Sequence, residues 1–213
     1  MSEVKRRYDS GGRKRQAEQT RAAVLDAAQR LFLANGYAGT AIADVATAAG
    51  VSVETVYKRF RGKAGLVRAL RERALAGVGP VHAEQRSDTL RGEDPHTLVR
   101  GWGMLAAEVA PLVAPILLLV RDGAVHDQDL ARLRDELDDD RFSRMKDNAR
   151  ALHDRGHLRP GVSLEEAAEV LWTYTAPELF ELLVLRRGWS AGRFGAFVAD
   201  SLASALLALA PRT

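Results

Sequence analysis

Between residues 24 and 60, apolar side chains recur every three or four positions in three short runs, a spacing that places each run on one side of an α-helix. The first run, Val24, Leu25, Ala28, Leu31 and Phe32, predicts a helix from about residue 15 to 34, closed by Asn35-Gly36. The second, Ile42, Val45, Ala46 and Ala49, predicts a short helix from 41 to 48 or 49 with Thr40 as its N-cap. Gly50 ends it, because glycine takes the left-handed backbone of a tight turn without a Cβ clash. Ser52 then caps a third helix over 53–59, its hydroxyl placed for the amide of Glu54 or Thr55, while Val51, Val56 and Phe60 turn inward. Ser52, Val53, Glu54, Thr55, Lys58 and Arg59 are left facing outward. Two helices set at a steep angle by a Gly turn make a helix-turn-helix, whose second helix reads base edges in the DNA major groove. An ordinary αα-corner of a helical core would show the same local pattern.

Past Phe60 the helical period continues. Leu66, Val67, Leu70 and Leu75 predict a helix over 63–75, broken by Gly77-Val78-Gly79-Pro80, and the polar stretch 81–94 reads as loop. Asp94-Pro95 starts a helix through Leu98, Trp102, Leu105 and Val109. Pro111 opens another, and Asp127 caps a long charged helix to about residue 155 whose inner side carries Leu130, Leu133, Leu137, Phe142, Met145 and Leu152. Ser163 with Glu166 fits a capping box at the start of a helix over 163–187 that is apolar nearly all round, with a kink expected at Pro177. Ser190 starts the last helix, striped by Phe194, Phe197, Val198, Leu202, Ala205, Leu206 and Leu209. A helix apolar on two sides needs two partners, so these last two helices are candidates for an intersubunit bundle.

The 213 residues, 46% apolar, are enough for an all-α chain of two domains: a three-helix DNA-binding domain over 13–62 and a larger helical effector-binding and dimerisation domain over 63–213. Residues 1–12 read as a mobile basic arm, with Lys5-Arg6-Arg7 ahead of Gly11-Gly12 and Arg13-Lys14-Arg15 after them. The net charge of +3 is unevenly divided: residues 1–63 carry +6 and the rest −3. A basic excess beside the reading helix is the electrostatic footprint of phosphate binding. There is no cysteine, which excludes disulfides, thiol nucleophiles and Cys-ligated metal, and suits a reducing cytoplasm. The N-terminus lacks an apolar signal segment, and the apolar run 110–120 is too short to span a bilayer, so no membrane is expected.

With Val24-Leu25-Asp26-Ala27-Ala28, Leu31-Phe32, Gly36-Tyr37, Thr40, Ile42, Ala49-Gly50-Val51-Ser52, and Thr55-Val56-Tyr57-Lys58-Arg59-Phe60 followed by Lys63 and Leu66, the chain resembles the TetR family of bacterial transcriptional repressors over about residues 16–70. Glu54 departs from the small residue that relatives often carry there. The resemblance implies a homodimer formed through the last two helices and a palindromic double-stranded DNA operator. It also implies phosphate contacts from Thr40, Tyr57 and Lys63, residues that can donate to phosphate oxygen.

Catalytic and metal motifs are missing from the pattern. His153 and His157 have the spacing of helical metal ligands, but no Glu of a His-Glu-x-x-His motif lies between them, and Asp138-Asp139-Asp140 spreads around a helix. Gly101-Trp102-Gly103 has no preceding strand and lacks the third Gly of a nucleotide fold. No cofactor is expected. Trp102, Met104, Phe142, Met145, Trp172, Tyr174 and Phe180 lie in helices that would enclose a pocket, and they are the candidate lining for an apolar or aromatic effector. The resulting expectation is a repressor released from its operator by a small molecule. The alternatives are a regulator with no effector and a helical enzyme sharing the corner.

Overall fold

The computed structural model describes residues 10–208, and every regular helix or strand element among them is helical; one isolated bridge pairs Leu158 with Leu207. The chain divides between Ala69 and Leu70 into two compact units.

In the first unit, α1 (Ser10–Asn35) packs on α2 (Ile42–Ala48), which packs on α3 (Val53–Phe60). Its core holds Val24, Leu25, Ala28, Phe32, Val45, Ala46 and Val56, each buried to within 1%. The turn between α2 and α3 is a Schellman motif: Val51 N–H donates to Ala46 C=O at 3.0 Å and Gly50 N–H to Thr47 C=O at 3.1 Å. Gly50 has φ +66°, the left-handed value that this closure needs. Ser52 caps α3 as expected, its Oγ accepting from Thr55 N–H at 3.2 Å.

Two expectations are corrected here. The basic arm does not reach residue 12, since α1 begins at Ser10 and includes Arg13-Lys14-Arg15; Lys5-Arg6-Arg7 lie outside the described residues. Thr40 is not an N-cap: Ala41 holds that position, and the Asp44 carboxylate reaches back to the Ala41 amide at 3.3 Å.

In the second unit, α6 (Pro95–Gly123) is the central element. It packs against α5 (Ala83–Thr89), α7 (Gln128–His153), α9 (Pro177–Phe180) and α10 (Ala191–Leu206), with α8 (Leu164–Tyr174) laid on α7 and α10. The caps read from the sequence are in place: Asp94 Oδ1 accepts from the amides of His96 and Thr97, Asp127 Oδ1 from Asp129 and Leu130, Ser163 Oγ from Glu166, and Ser190 Oγ from Arg193. α4 (Lys63–Ala76) carries the chain across the division.

Three element boundaries differ from the sequence reading. Residues 83–89 are helical rather than loop, anchored by buried Ala83 and Ser87, a small and a polar residue that leave no hydropathy signal. α6 does not restart at Pro111; it runs through both Pro111 and Pro115. An interior proline costs about 3 kcal/mol, but the helix buries Leu98, Val99 and Trp102 before the prolines and Ile116, Leu118 and Val120 after them, each side chain contributing about 1.5–3 kcal/mol. Uninterrupted, α6 is long and apolar enough to cross a bilayer by length and composition, which the separated run 110–120 was not; in this fold its apolar side packs on the neighbouring helices. Finally, 163–187 is not one helix. Pro177 pushes Ala176 to extended backbone (φ −64°, ψ 138°), α8 stops at Tyr174, and α9 passes into a π-helical segment, Glu181–Arg186.

Candidate nucleic-acid interface and ligand cavity

α3 is divided lengthwise. Val56 and Phe60 are buried, while Ser52, Val53, Glu54, Tyr57, Lys58 and Arg59 are exposed and Thr55 is half-buried with its hydroxyl 2.8 Å from Ser52 Oγ. The cap positions the helix start, and the apolar face fixes its rotation, so the four N-terminal side chains and Lys58 project together from one rigid surface. A carboxylate, two hydroxyls and an ammonium on such a surface are the groups that hydrogen-bond base edges.

The three residues assigned to phosphate by resemblance are placed differently from one another. Tyr57 is 53% exposed and free to reach a phosphate. Lys63 Nζ donates to Tyr37 C=O at 2.8 Å and lies 4.5 Å over the Tyr37 ring, which leaves further donors on the ammonium. Thr40 is 1% exposed, and its hydroxyl lies within hydrogen-bond distance of Gly36 C=O at 2.9 Å and Leu31 C=O at 3.1 Å. In this structure the Thr40 hydroxyl ties the turn to the end of α1.

The second unit carries a partly open cavity of about 200 Å³ among α4, α5, α6, α7, α8, α9 and α10. Of the seven residues expected to line a pocket, Trp102 and Met145 do so. Trp102 is 7% exposed and its indole N–H donates to the buried Ser87 hydroxyl at 3.0 Å. Met104, 70% exposed, does not; the register of α6 turns it to solvent. Phe180 packs on Phe194 with ring centroids 5.4 Å apart, and Tyr174 packs on Phe197 at 6.2 Å, so neither faces the space. Phe142 meets Trp172 edge-on at 6.1 Å; Trp172 lines a second cavity beside Arg121 and Arg141. The residues missed by sequence reading are Leu105, Val109, Val113, Leu171 and Val198, which in one dimension are indistinguishable from ordinary core.

The arginines around the main cavity are matched. Arg71 pairs with Asp140 at 3.1 Å, Arg144 with Asp88 at 2.7 Å, and Arg141 with Asp138 at 2.8 Å. Burial lowers the Arg141 pKa from its ordinary value, opposed by Asp138. At another edge of the unit, Arg86 grips Glu108 through two bonds of 2.8 and 2.5 Å, and the Val78 amide donates to the same carboxylate at 2.9 Å. These bonds hold the Glu108 pKa below its ordinary value, the Arg86 hydrogen bond first among them. Among the described residues, no group of three or more His, Asp or Glu side chains is placed to hold a metal ion.

A helix-turn-helix with an exposed, capped second helix, followed by a larger helical unit, defines a helix-turn-helix regulator fold. Residues 24–70 match the family described as bacterial regulatory proteins, tetR family. The regulator TtgR of Pseudomonas putida is 46% identical over 57 residues, a match spanning 27% of this chain and 27% of that protein. The aligned part is thus about a quarter of the relative's length. Over nearly the whole chain the likeness is one of fold. NalD, described as the secondary repressor of the MexAB-OprM multidrug efflux pump in Pseudomonas aeruginosa, superposes with TM-score 0.69 at 20% identity, covering 91% of this chain and 98% of that one. A complex of SmeT with triclosan superposes with TM-score 0.69 at 21% identity, covering 91% and 96%.

Proposed function

We propose that this protein is a DNA-binding transcriptional regulator that works in the cytoplasm as a homodimer on a palindromic operator, and that a small molecule held in the second unit releases it. The observation that carries the reading is the outward face of α3, where Ser52, Val53, Glu54, Lys58 and Arg59 stand exposed on a helix whose opposite side is fully packed. Two such helices, related by a two-fold axis, enter successive major grooves about 34–36 Å apart. Tyr57 and Lys63 hold the flanking phosphates, and the charge of +6 on residues 1–63 draws the domain to DNA.

Release needs a ligand that prefers a conformation with the wrong half-site spacing. The cavity supports this part of the reading, as does the description of SmeT, a protein of the same fold, in complex with triclosan. α4 is the physical link, since Arg71 and Leu75 in its second half line the cavity and Lys63 in its first turn belongs to the DNA-binding unit. For the dimer, the large apolar side chains left exposed near the last helices among the described residues are Leu182 and Leu185, at 50% and 56%.

Selection of bound fragments from random duplex DNA tests the proposal. An enriched inverted repeat whose half-sites lie about one helical turn apart is the expected result. Recovery of random sequence with salt-sensitive affinity alone would reduce the protein to a non-specific DNA binder.

A further inference from the structure

Asn148 of α7 lines the main cavity and is 6% exposed; its Oδ1 is turned into the wall, fully buried, and has no hydrogen-bond partner among the described residues. A buried carboxamide oxygen left unpaired is costly, and beside a cavity an occupant that donates a hydrogen bond would relieve that cost. The surroundings state what that group is. The walls beside Asn148 are apolar, with Trp102, Met145, Leu171 and Leu202 all lining the same space. Of the hydroxyls close by, Ser87 Oγ accepts from Trp102, Thr175 Oγ1 donates to Leu171 C=O at 2.8 Å, and neither is paired with Asn148. Each arginine on the lining has a carboxylate partner, Arg71 with Asp140, Arg144 with Asp88 and Arg141 with Asp138, so the cavity holds no unmatched cation for an anionic ligand. The terminal torsion of an Asn carboxamide is broad and two-fold, so Asn148 can turn its oxygen to an occupant without moving α7.

We infer that Asn148 is the polarity-reading residue of this cavity, and that its ligand is a largely apolar, non-anionic molecule carrying a hydrogen-bond donor, which donates to Asn148 Oδ1. The inference rests on the reading of the cavity as the effector site, and it adds the chemical class of the effector. A ligand with only an acceptor, or with no polar atom, leaves the oxygen unpaired and binds more weakly.

Three bicyclic probes of nearly the same shape separate these cases: indole has an N–H donor, benzofuran an oxygen acceptor, and indene neither. Calorimetric titration of the full chain gives the three dissociation constants. Indole should bind roughly tenfold tighter than indene and benzofuran, the size of one hydrogen bond made against one left unmade. In Asn148→Leu, which keeps the volume and removes the polar group, the three affinities should converge to within about twofold. If the wild-type protein binds all three equally, or benzofuran best, the role of Asn148 fails while the cavity remains a ligand site. If indole keeps its advantage in Asn148→Leu, another residue reads the donor. If none of the three binds, the effector-site reading fails first and the inference with it. The wild-type comparison needs no variant, so a poorly folding Asn148→Leu does not weaken the test.

Discussion

A Cβ built on Gly103 of α6 would lie 2.4 Å from the carbonyl oxygen of Gly195 in α10, and one built on Gly195 would lie 2.4 Å from the carbonyl oxygen of Gly103. The two helices cross backbone to backbone at this pair, and the obstructing atoms are main chain that cannot swing aside. Gly195→Val should therefore lower stability by about 1–3 kcal/mol through overpacking. Gly192→Ala, on the same helix with nothing within 4 Å of the added Cβ, should be neutral or stabilising. Urea unfolding of both variants checks the contrast, and equal effects would mean the crossing tolerates a side chain.

Thr40 distinguishes a structural hydroxyl from a DNA-contacting one. Thr40→Val keeps the shape but removes the one O–H shared between the carbonyls of Gly36 and Leu31, and should cost about 1–3 kcal/mol of stability. Thr40→Ser should restore most of it. A Thr40→Val protein of wild-type stability that loses operator affinity would return the hydroxyl to the DNA.

Lys58 and Glu54 should carry specificity. An ammonium donates to guanine and a carboxylate accepts from the cytosine amino group, so Lys58→Ala and Glu54→Ala should each relax preference at one or two operator positions by about 1–3 kcal/mol per contact. Binding to arrays of single-base operator variants measures this. Unchanged stringency in both would place base reading elsewhere on α3.

The Glu108–Arg86 pair sets an acid-sensitive contribution to stability. Because the folded-state pKa of Glu108 lies below its ordinary value of 4.5, the stabilisation is complete above that value and is lost as pH falls through the lower folded value. Glu108→Gln should be less stable than wild type at about pH 7 and approach it at about pH 3. A stability difference that stays constant across that range would show that the carboxylate charge is not what matters.

The dimer proposal now rests on different residues from those the stripe of the last helix indicated. Phe194, Val198 and Leu202 are each 1% exposed or less within a single chain, and Leu209 lies outside the described residues. Leu202→Glu should therefore unfold the second unit, whereas Leu182→Arg with Leu185→Arg, at exposed positions, should leave a folded protein that sediments as a monomer and binds a full operator weakly. A folded dimer of the double variant would move the interface away from the π-helical segment.

Local chemistry was legible in the residues themselves. Ser52, Asp94, Asp127, Ser163 and Ser190 cap the helices they announce, and the apolar period of 24–60 predicts the three-helix unit and the outward face of α3, because caps and periodicity act within a few residues along the chain. Three-dimensional packing supplied the rest. α6 passes Pro111 and Pro115 because burial on both sides outweighs the lost hydrogen bonds, which no window around a proline can reveal. Gly101-Trp102-Gly103 resembled a broken nucleotide motif until Gly195, far along the chain in α10, showed why Gly103 has no side chain. Whether Met104 or Met145 faces the cavity depends on helix rotation against distant partners, and so does the isolation of Asn148 Oδ1. Neighbouring positions thus dictate most of the helices and the outward face of α3. Which apolar residues enclose a space, and which polar atom in it is left for a ligand, follows from the packing alone, since burial is a property of residues far apart in the chain.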